Sequence, residues 1–249
     1  MITFAHEVIS RLARWADDVD RARHEAERPR QQPDVPELCR ALISLDPQAA
    51  RKMILKAHDE GASHADLCLY HISPAAHRLG VLWDLGRVSS SDMRLAGART
   101  LTLLRDLRDL APPFEPRRGR CALFATVPGE DHVLGITMAS DLFRDDGWDV
   151  HLELGTTEER LVEMVKRARF PIVGLSAGSL ERLPALAHVI VALRVVAPKV
   201  LVFVGGRLAR DDDGLAARVG ADGAAWQMEH CRTELERLHG LLPGLSQSR

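Results

Sequence analysis

Apolar residues recur every three or four positions over residues 1–20, where Phe4, Val8, Leu12, Trp15 and Val19 would line one face of a helix. The next stretch, RARHEAERPRQQP, is polar, rich in arginine and broken by two prolines, so it reads as a linker. From about Asp34 to Leu110 the helical period resumes. Its apolar sets are Leu38, Ala41 and Leu42; then Ala50, Met53, Ile54 and Ala57; then Leu67 through Trp83; then Met93 through Leu107. Asp46-Pro47 predicts a helix start, Gly61-Ala62-Ser63 a break, Pro74 a kink or stop, and Ser89-Ser90-Ser91-Asp92 an N-cap cluster. No strand-like run interrupts this region, and four or five helices packed as a bundle are expected.

At APPFEPRRG, residues 111–119, the texture changes, which marks a domain boundary. Beyond it short apolar runs alternate with helical patterns. The runs are CALFATV (121–127), VHLEL (150–154), IVGLS (172–176), VLVFVGG (200–206) and GAAW (223–226). The helices expected after them run from about His132 to Arg144, Glu158 to Arg169, Glu181 to Val196, Asp211 to Val219, and through a final segment. This alternation predicts an α/β fold: a helical bundle followed by a flavodoxin-like, Rossmann-like five-stranded parallel sheet with right-handed crossovers. The expected organisation is an amphipathic helix and linker over 1–33, a helical bundle over 34–112 and an α/β domain over 118–240.

The composition is that of a soluble globular protein, with 249 residues, 46% hydrophobic and 27% charged. With 33 Lys+Arg against 35 Asp+Glu, no excess of basic charge supports tracking of a nucleic-acid backbone. The arginines of 21–30 are diluted by Glu25 and Glu27 and preceded by Asp17, Asp18 and Asp20, the pattern of a solvated linker. The 33 residues ahead of the bundle are too few for a winged helix-turn-helix module, so direct DNA contact is not expected. No run of 18 apolar residues and no signal-peptide core appears, and the expected location is the cytoplasm. Cys39, Cys68, Cys121 and Cys231 form no CxxC pair and are expected to be free thiols.

In an open parallel sheet, ligands bind beyond the C-terminal strand ends. That edge here collects the loop Pro128–Gly135, the turn Ser176-Ala177-Gly178-Ser179 and the pair Gly205-Gly206. A phosphoacceptor receiver would need an aspartate where Ser176 ends its strand. No GxGxxG follows any strand. GLSAG (174–178) has the form of a nucleophile elbow, but neither a partner acid nor an oxyanion loop can be picked out. His132 remains as a candidate metal ligand, with Glu130 placed to accept its second N–H, or else as an ordinary surface histidine. The glycines 135, 178, 205 and 206 would admit a bulky planar ligand or a nucleotide tail, or simply make turns.

Glu130-Asp131-His132-Val133-Leu134-Gly135, then Ser176-Ala177-Gly178, then 26 residues, then Gly205-Gly206, resembles the DxHxxG, SxL and GG signature of cobalamin-binding domains. Glutamate stands for the usual aspartate, and glycine for the leucine. The resemblance implies that His132 is the lower axial ligand of cobalt and Glu130 its hydrogen-bond partner. It implies too that Ser176, Gly178, Gly205 and Gly206 line the channel for the displaced nucleotide tail, with Gly178 widening it and a larger residue at 206 obstructing it. The segment SPAAHRLGVLWDLGRVSSSDMRLAGARTLTLLRDL resembles the four-helix cap that covers the upper corrinoid face in methionine synthase, corrinoid methyltransferase proteins and CarH-type photoreceptors. There Trp83 would shield the ring, unless it belongs to the bundle core. Met93 and Arg94 stand where the CarH-type W-x9-EH element has Glu and His, so no upper histidine comes from that element.

The ExHxxG variant, LGVLWDLGR and the amphipathic N-terminal helix look most like the AerR/PpaA group of cobalamin-binding antirepressors. The resemblance implies no enzyme. It implies instead a sensor of adenosyl- or hydroxocobalamin, responsive to light or ligand, whose partner is a CrtJ/PpsR-type repressor of photosynthesis genes. A corrinoid carrier of a methyltransferase system, and a haem sensor built on the same cradle, are the alternatives.

Overall fold

A computed structural model describes residues 34–111, 116–168 and 170–242. The expected N-terminal helix and the boundary stretch 112–115 lie outside these residues, and the described residues from Val35 onward form one compact unit.

Four helical stretches come first: α1 (Val35–Ile43), α2 (Ala49–Asp59), α3 and α4 (Ser90–Leu110). α3 is continuous but composite, running from His64–Asp66 through a π-helical stretch, Leu67–Ile72, into Ser73–Asp84. The π-turn settles the question left by Pro74. A proline inside an α-helix loses its N–H and presses on the carbonyl four residues back, and widening the preceding turn relieves this. The Ser73 N–H accordingly reaches back to the Cys68 carbonyl. Ser63 and Ser89 start α3 and α4 with reciprocal capping boxes to Asp66 and Asp92. Leu38, Leu42, Ile54, Leu67, Ile72, Leu79 and Leu104 fill the bundle core.

The second part contains β1 (Cys121–Thr126), α5 (Leu134–Asp145), β2 (Asp149–Glu153), α6 (Glu158–Ala168), β3 (Ile172–Ser176), a 3-10 turn (Leu180–Arg182), α7 (Leu183–Val196), β4 (Leu201–Gly205), α8 (Arg207–Asp211), α9 (Leu215–Val219), β5 (Gly223–Ala224) and α10 (Met228–Gly240). The strands are parallel in the order β2-β1-β3-β4-β5, as expected for the flavodoxin-like form. Alternation along β1 divides the two faces. Leu123 and Ala125 pack with α6 and α7, whereas Ala122 and Phe124 pack with α5 and α10.

Two elements differ from the sequence expectation. The helix expected over 211–219 is two short ones, because Asp212 accepts the Gly214 N–H in a local turn that interrupts the backbone ladder. The fifth strand is only two residues long and pairs with β4 alone.

The bundle and the sheet share a continuous core through α5. Leu142 is buried among the bundle side chains, with Leu134 and Met138 packed beside it. Asp141, also on α5, receives Nε and Nη2 of Arg108 from α4 at 2.9 and 2.8 Å and Nη1 of Arg144 at 2.8 Å. His64 at the start of α3 meets Asp145 at the end of α5, Nδ1 to Oδ2, at 2.5 Å. Among the described residues no helix is long and apolar enough to cross a membrane. All four cysteines are free, Cys39, Cys68 and Cys231 buried and Cys121 partly so.

Candidate functional site

Parallel register brings the strand ends to one level: Thr126 of β1 lies beside Ser176 of β3, and Ser176 beside Gly205 of β4. The loop after β1 rises over this edge. Within it Glu130 is almost completely buried, its side chain 2% exposed, while the side chain of His132 is 69% exposed. Oε1 of Glu130 accepts both the His132 backbone N–H at 2.9 Å and ring Nδ1 at 2.5 Å. Oε2 accepts the backbone N–H of Gly178, from the turn after β3, at 2.5 Å. Burial alone would push the Glu130 carboxyl up. The two His132 donors and the Gly178 amide outweigh it and hold the acid below the usual glutamate value.

An ionised carboxylate can only accept, so Nδ1 carries the hydrogen of its bond to Glu130. In the neutral ring the lone pair is then on Nε2, at the opposite side of the imidazole. A carboxylate-oriented, solvent-facing imidazole nitrogen at the C-terminal edge of a parallel sheet is a donor suited to a transition metal carried on a ligand. Among the described residues no cluster of three or more His, Cys, Asp or Glu could hold a bare ion.

The glycines separate by what surrounds them. Gly135, in the first turn of α5, has nothing within 4 Å of where a Cβ would stand and no positive φ, so neither packing nor backbone requires it. Gly205 has only ordinary contact distances, 3.6 Å to the Ala225 carbonyl and to the Phe203 ring. Gly206 is different. Its φ is +95°, and a Cβ there would stand 2.6 Å from the Ala177 carbonyl oxygen and 3.0 Å from Ser176 Oγ. The space beside Gly206 is therefore filled by the chain itself, and a larger residue would distort the crossing between β3 and β4 whether or not a ligand threads nearby. Gly178 faces Glu130 and His132, so the space its missing side chain leaves is taken up by that pair. Gly174 seats the Phe124 ring, whose Cδ1 would be 2.7 Å from an added Cβ, which accounts for the first glycine of GLSAG by packing.

The cap reaches toward the same edge. His77 on α3 is pushed down by burial and by the guanidinium groups of Arg210 and Arg207 on α8, the helix that follows Gly206. Trp83, in the last turn of α3, is 49% exposed, which removes the alternative that it belongs to the bundle core. Three features escaped sequence reasoning. The Arg182 guanidinium lies over Gly129, with Nη1 2.7 Å from where a Cβ would be. The Thr126 hydroxyl accepts the Gly155 N–H and ties the loops after β1 and β2 together. A cavity of about 330 Å³ opens beyond β4 and β5, lined among others by Ala224, Ala225, Trp226, His230 and Asp212, and not by Ser176, Gly178, Gly205 or Gly206. A lone basic residue after β3 offers no periodic signal, and the cavity joins residues of three separate segments.

A helical bundle packed on a flavodoxin-like sheet is the fold of corrinoid proteins, and two stretches of the chain match B12 binding domains. Residues 120–233 match the B12 binding domain, and residues 36–105 match a second family also described as a B12 binding domain. The chain is 26% identical over 160 residues to an uncharacterized 20.5 kDa protein in the bchF-crtJ intergenic region of Rhodobacter capsulatus, covering 63% of this chain and 83% of that one. It is 25% identical over 191 residues to dimethylamine corrinoid protein 1 of Methanosarcina acetivorans, covering 75% and 88%. Among solved structures, the monomethylamine corrinoid protein of Methanosarcina barkeri superposes with a TM-score of 0.67 at 14% identity, over 80% of this chain and 96% of that one.

Proposed function

We propose that this chain holds cobalamin, as the hydroxo or adenosyl form, with His132 as the lower metal ligand. In this reading it works as a light- or ligand-responsive antirepressor of a CrtJ/PpsR-type transcription factor that controls photosynthesis genes. The observation that carries the binding half is the imidazole fixed by Glu130 with Nε2 free of that bond. The open space at Gly135 fits the same reading, since a glycine there serves neither packing nor backbone and leaves room for a ring system. Ser176 and Gly205 sit at the strand ends where a nucleotide tail would pass, and Trp83 is exposed on the cap to cover the ring from above. A bound corrinoid would supply exchangeable metal coordination and, with an alkyl ligand, a light-sensitive metal–carbon bond. The chain's own residues fix the imidazole and frame the edge.

The regulatory half is supported by the similarity to an uncharacterized protein of the bchF-crtJ intergenic region. A corrinoid carrier serving a methyltransferase is the second reading, favoured by the similarity to the dimethylamine corrinoid protein. The test is a visible spectrum after incubation with hydroxocobalamin, adenosylcobalamin or haemin and desalting, in the dark and after illumination. It is followed by pull-down against a CrtJ-type repressor and against a corrinoid methyltransferase. Retained corrinoid whose spectrum changes in His132→Ala supports the binding half, and an unchanged spectrum and affinity remove it. Repressor capture that depends on residues 1–20 while cobalamin binding persists supports the regulatory half. Capture of the methyltransferase alone moves the assignment to the carrier, and retention of haemin alone moves it to a haem sensor.

A further inference from the structure

Gly178 has no positive φ, so its backbone would accept any residue, and no ligand is needed to account for the glycine. What a side chain would meet there is the acid of the site. A Cβ on residue 178 would stand 2.9 Å from Oε2 of Glu130, 3.3 Å from its Cδ and 3.1 Å from Nδ1 of His132. The same residue's amide supplies the 2.5 Å hydrogen bond that holds Oε2, while Oε1 holds His132. Glu130 thus spans from the loop after β1 to the turn after β3, and its length matches the gap that a glycine leaves.

We propose that Gly178 is a positioning residue for the histidine ligand, and that Glu130 and Gly178 form a matched pair. The missing side chain admits the longer acid, and the amide anchors its far oxygen so that the near one orients His132. This rests on His132 being the ligand, but the pairing is a property of the protein without its cofactor. An aspartate at 130 withdraws the carboxylate by about one C–C bond, 1.5 Å. It then clears a side chain at 178, but it no longer spans both anchors, whichever residue stands at 178.

The experiment is a mutant cycle of Gly178→Ala, Glu130→Asp and the double variant in the full chain. Each is read by long-range proton–nitrogen spectra of the His132 ring in the apoprotein at one pH, and by hydroxocobalamin affinity. The unaltered protein should show the Nδ1–H form. Each single variant should shift the ring toward a mixture with the Nε2–H form and weaken hydroxocobalamin binding by about 10- to 100-fold. The double variant should be no worse than Glu130→Asp alone, because the shorter acid has already withdrawn from the added methyl group. A Gly178→Ala protein with the original ring signature and affinity, or a double variant showing the sum of the two losses, overturns the pairing. If Gly178→Ala alone does not fold, recovery of folding in the double variant demonstrates the same coupling and its absence refutes it. If the unaltered protein retains no hydroxocobalamin, the cofactor reading falls, and the ring signatures of the apoprotein still decide the pairing.

Discussion

Asp141, like the His64–Asp145 pair, ties the bundle to the sheet, and replacing it with alanine tests how the cap is held. Its side chain is 1% exposed and accepts three charged N–H groups, two from Arg108 and one from Arg144. Breaking a fully buried pair by removing one partner costs about 3–5 kcal/mol, whereas an exposed pair is worth about 0–1 kcal/mol. The geometry lies between these limits. Arg108 is 45% exposed and can turn to water, and Arg144, at 24%, keeps its bond to the Val150 carbonyl at 2.6 Å. The expected loss is about 2–3 kcal/mol, which lowers Tm by about 4–12 °C in a unit of this size. Urea unfolding followed by tryptophan fluorescence, with Trp148 buried as a core reporter, measures it. Arg108→Ala should cost less, because Asp141 retains Arg144, and the two substitutions together should cost less than their sum. A loss under about 0.5 kcal/mol would show that the Asp141 pairs do not hold the cap, and strict additivity that Arg108 and Asp141 do not act as one pair.

Three further outcomes follow from the same contacts. The hydrogen bond to Asp145, and next the contact with Cys68, raise the His64 imidazole from 6.5 to about 10 against the effect of burial. Its contribution to stability is therefore complete below pH 6.5 and fades as pH climbs through about 10, so the urea midpoint should fall over that window and flatten in Asp145→Asn; a flat profile in the unaltered protein would refute the tie. Gly206→Ala should cost about 2–3 kcal/mol without any ligand, from its φ of +95° and the approach to the Ala177 carbonyl, and unchanged apoprotein stability would reopen the idea of free space there. Gly174→Ala should cost about 1–3 kcal/mol by displacing the Phe124 ring, which thermal unfolding checks against Gly135→Ala, where nothing within 4 Å stands in the way and little effect on apoprotein stability is expected.

Hydrophobic periodicity by itself determined the architecture. A period near 3.6 through residues 34–110 and short apolar runs beyond 120 leave little choice but a bundle and a parallel sheet, because each amphipathic stretch has one face to bury. Motif spacing likewise brought Glu130, His132, Ser176 and Gly205 to one edge, since residues at the C-terminal ends of neighbouring parallel strands share a level. What periodicity cannot express is contact between segments far apart in sequence. That Gly178 makes room for Glu130, that Gly206 is crowded by Ala177, that Trp83 faces outward and that Asp141 receives Arg108 all depend on how packed elements meet. A glycine looks the same in the sequence whether it leaves space for a ligand, for a neighbouring carboxylate or for an aromatic ring. Only the tertiary structure distinguishes them, because the reason for the glycine lies in the atoms that come to occupy the space beside it.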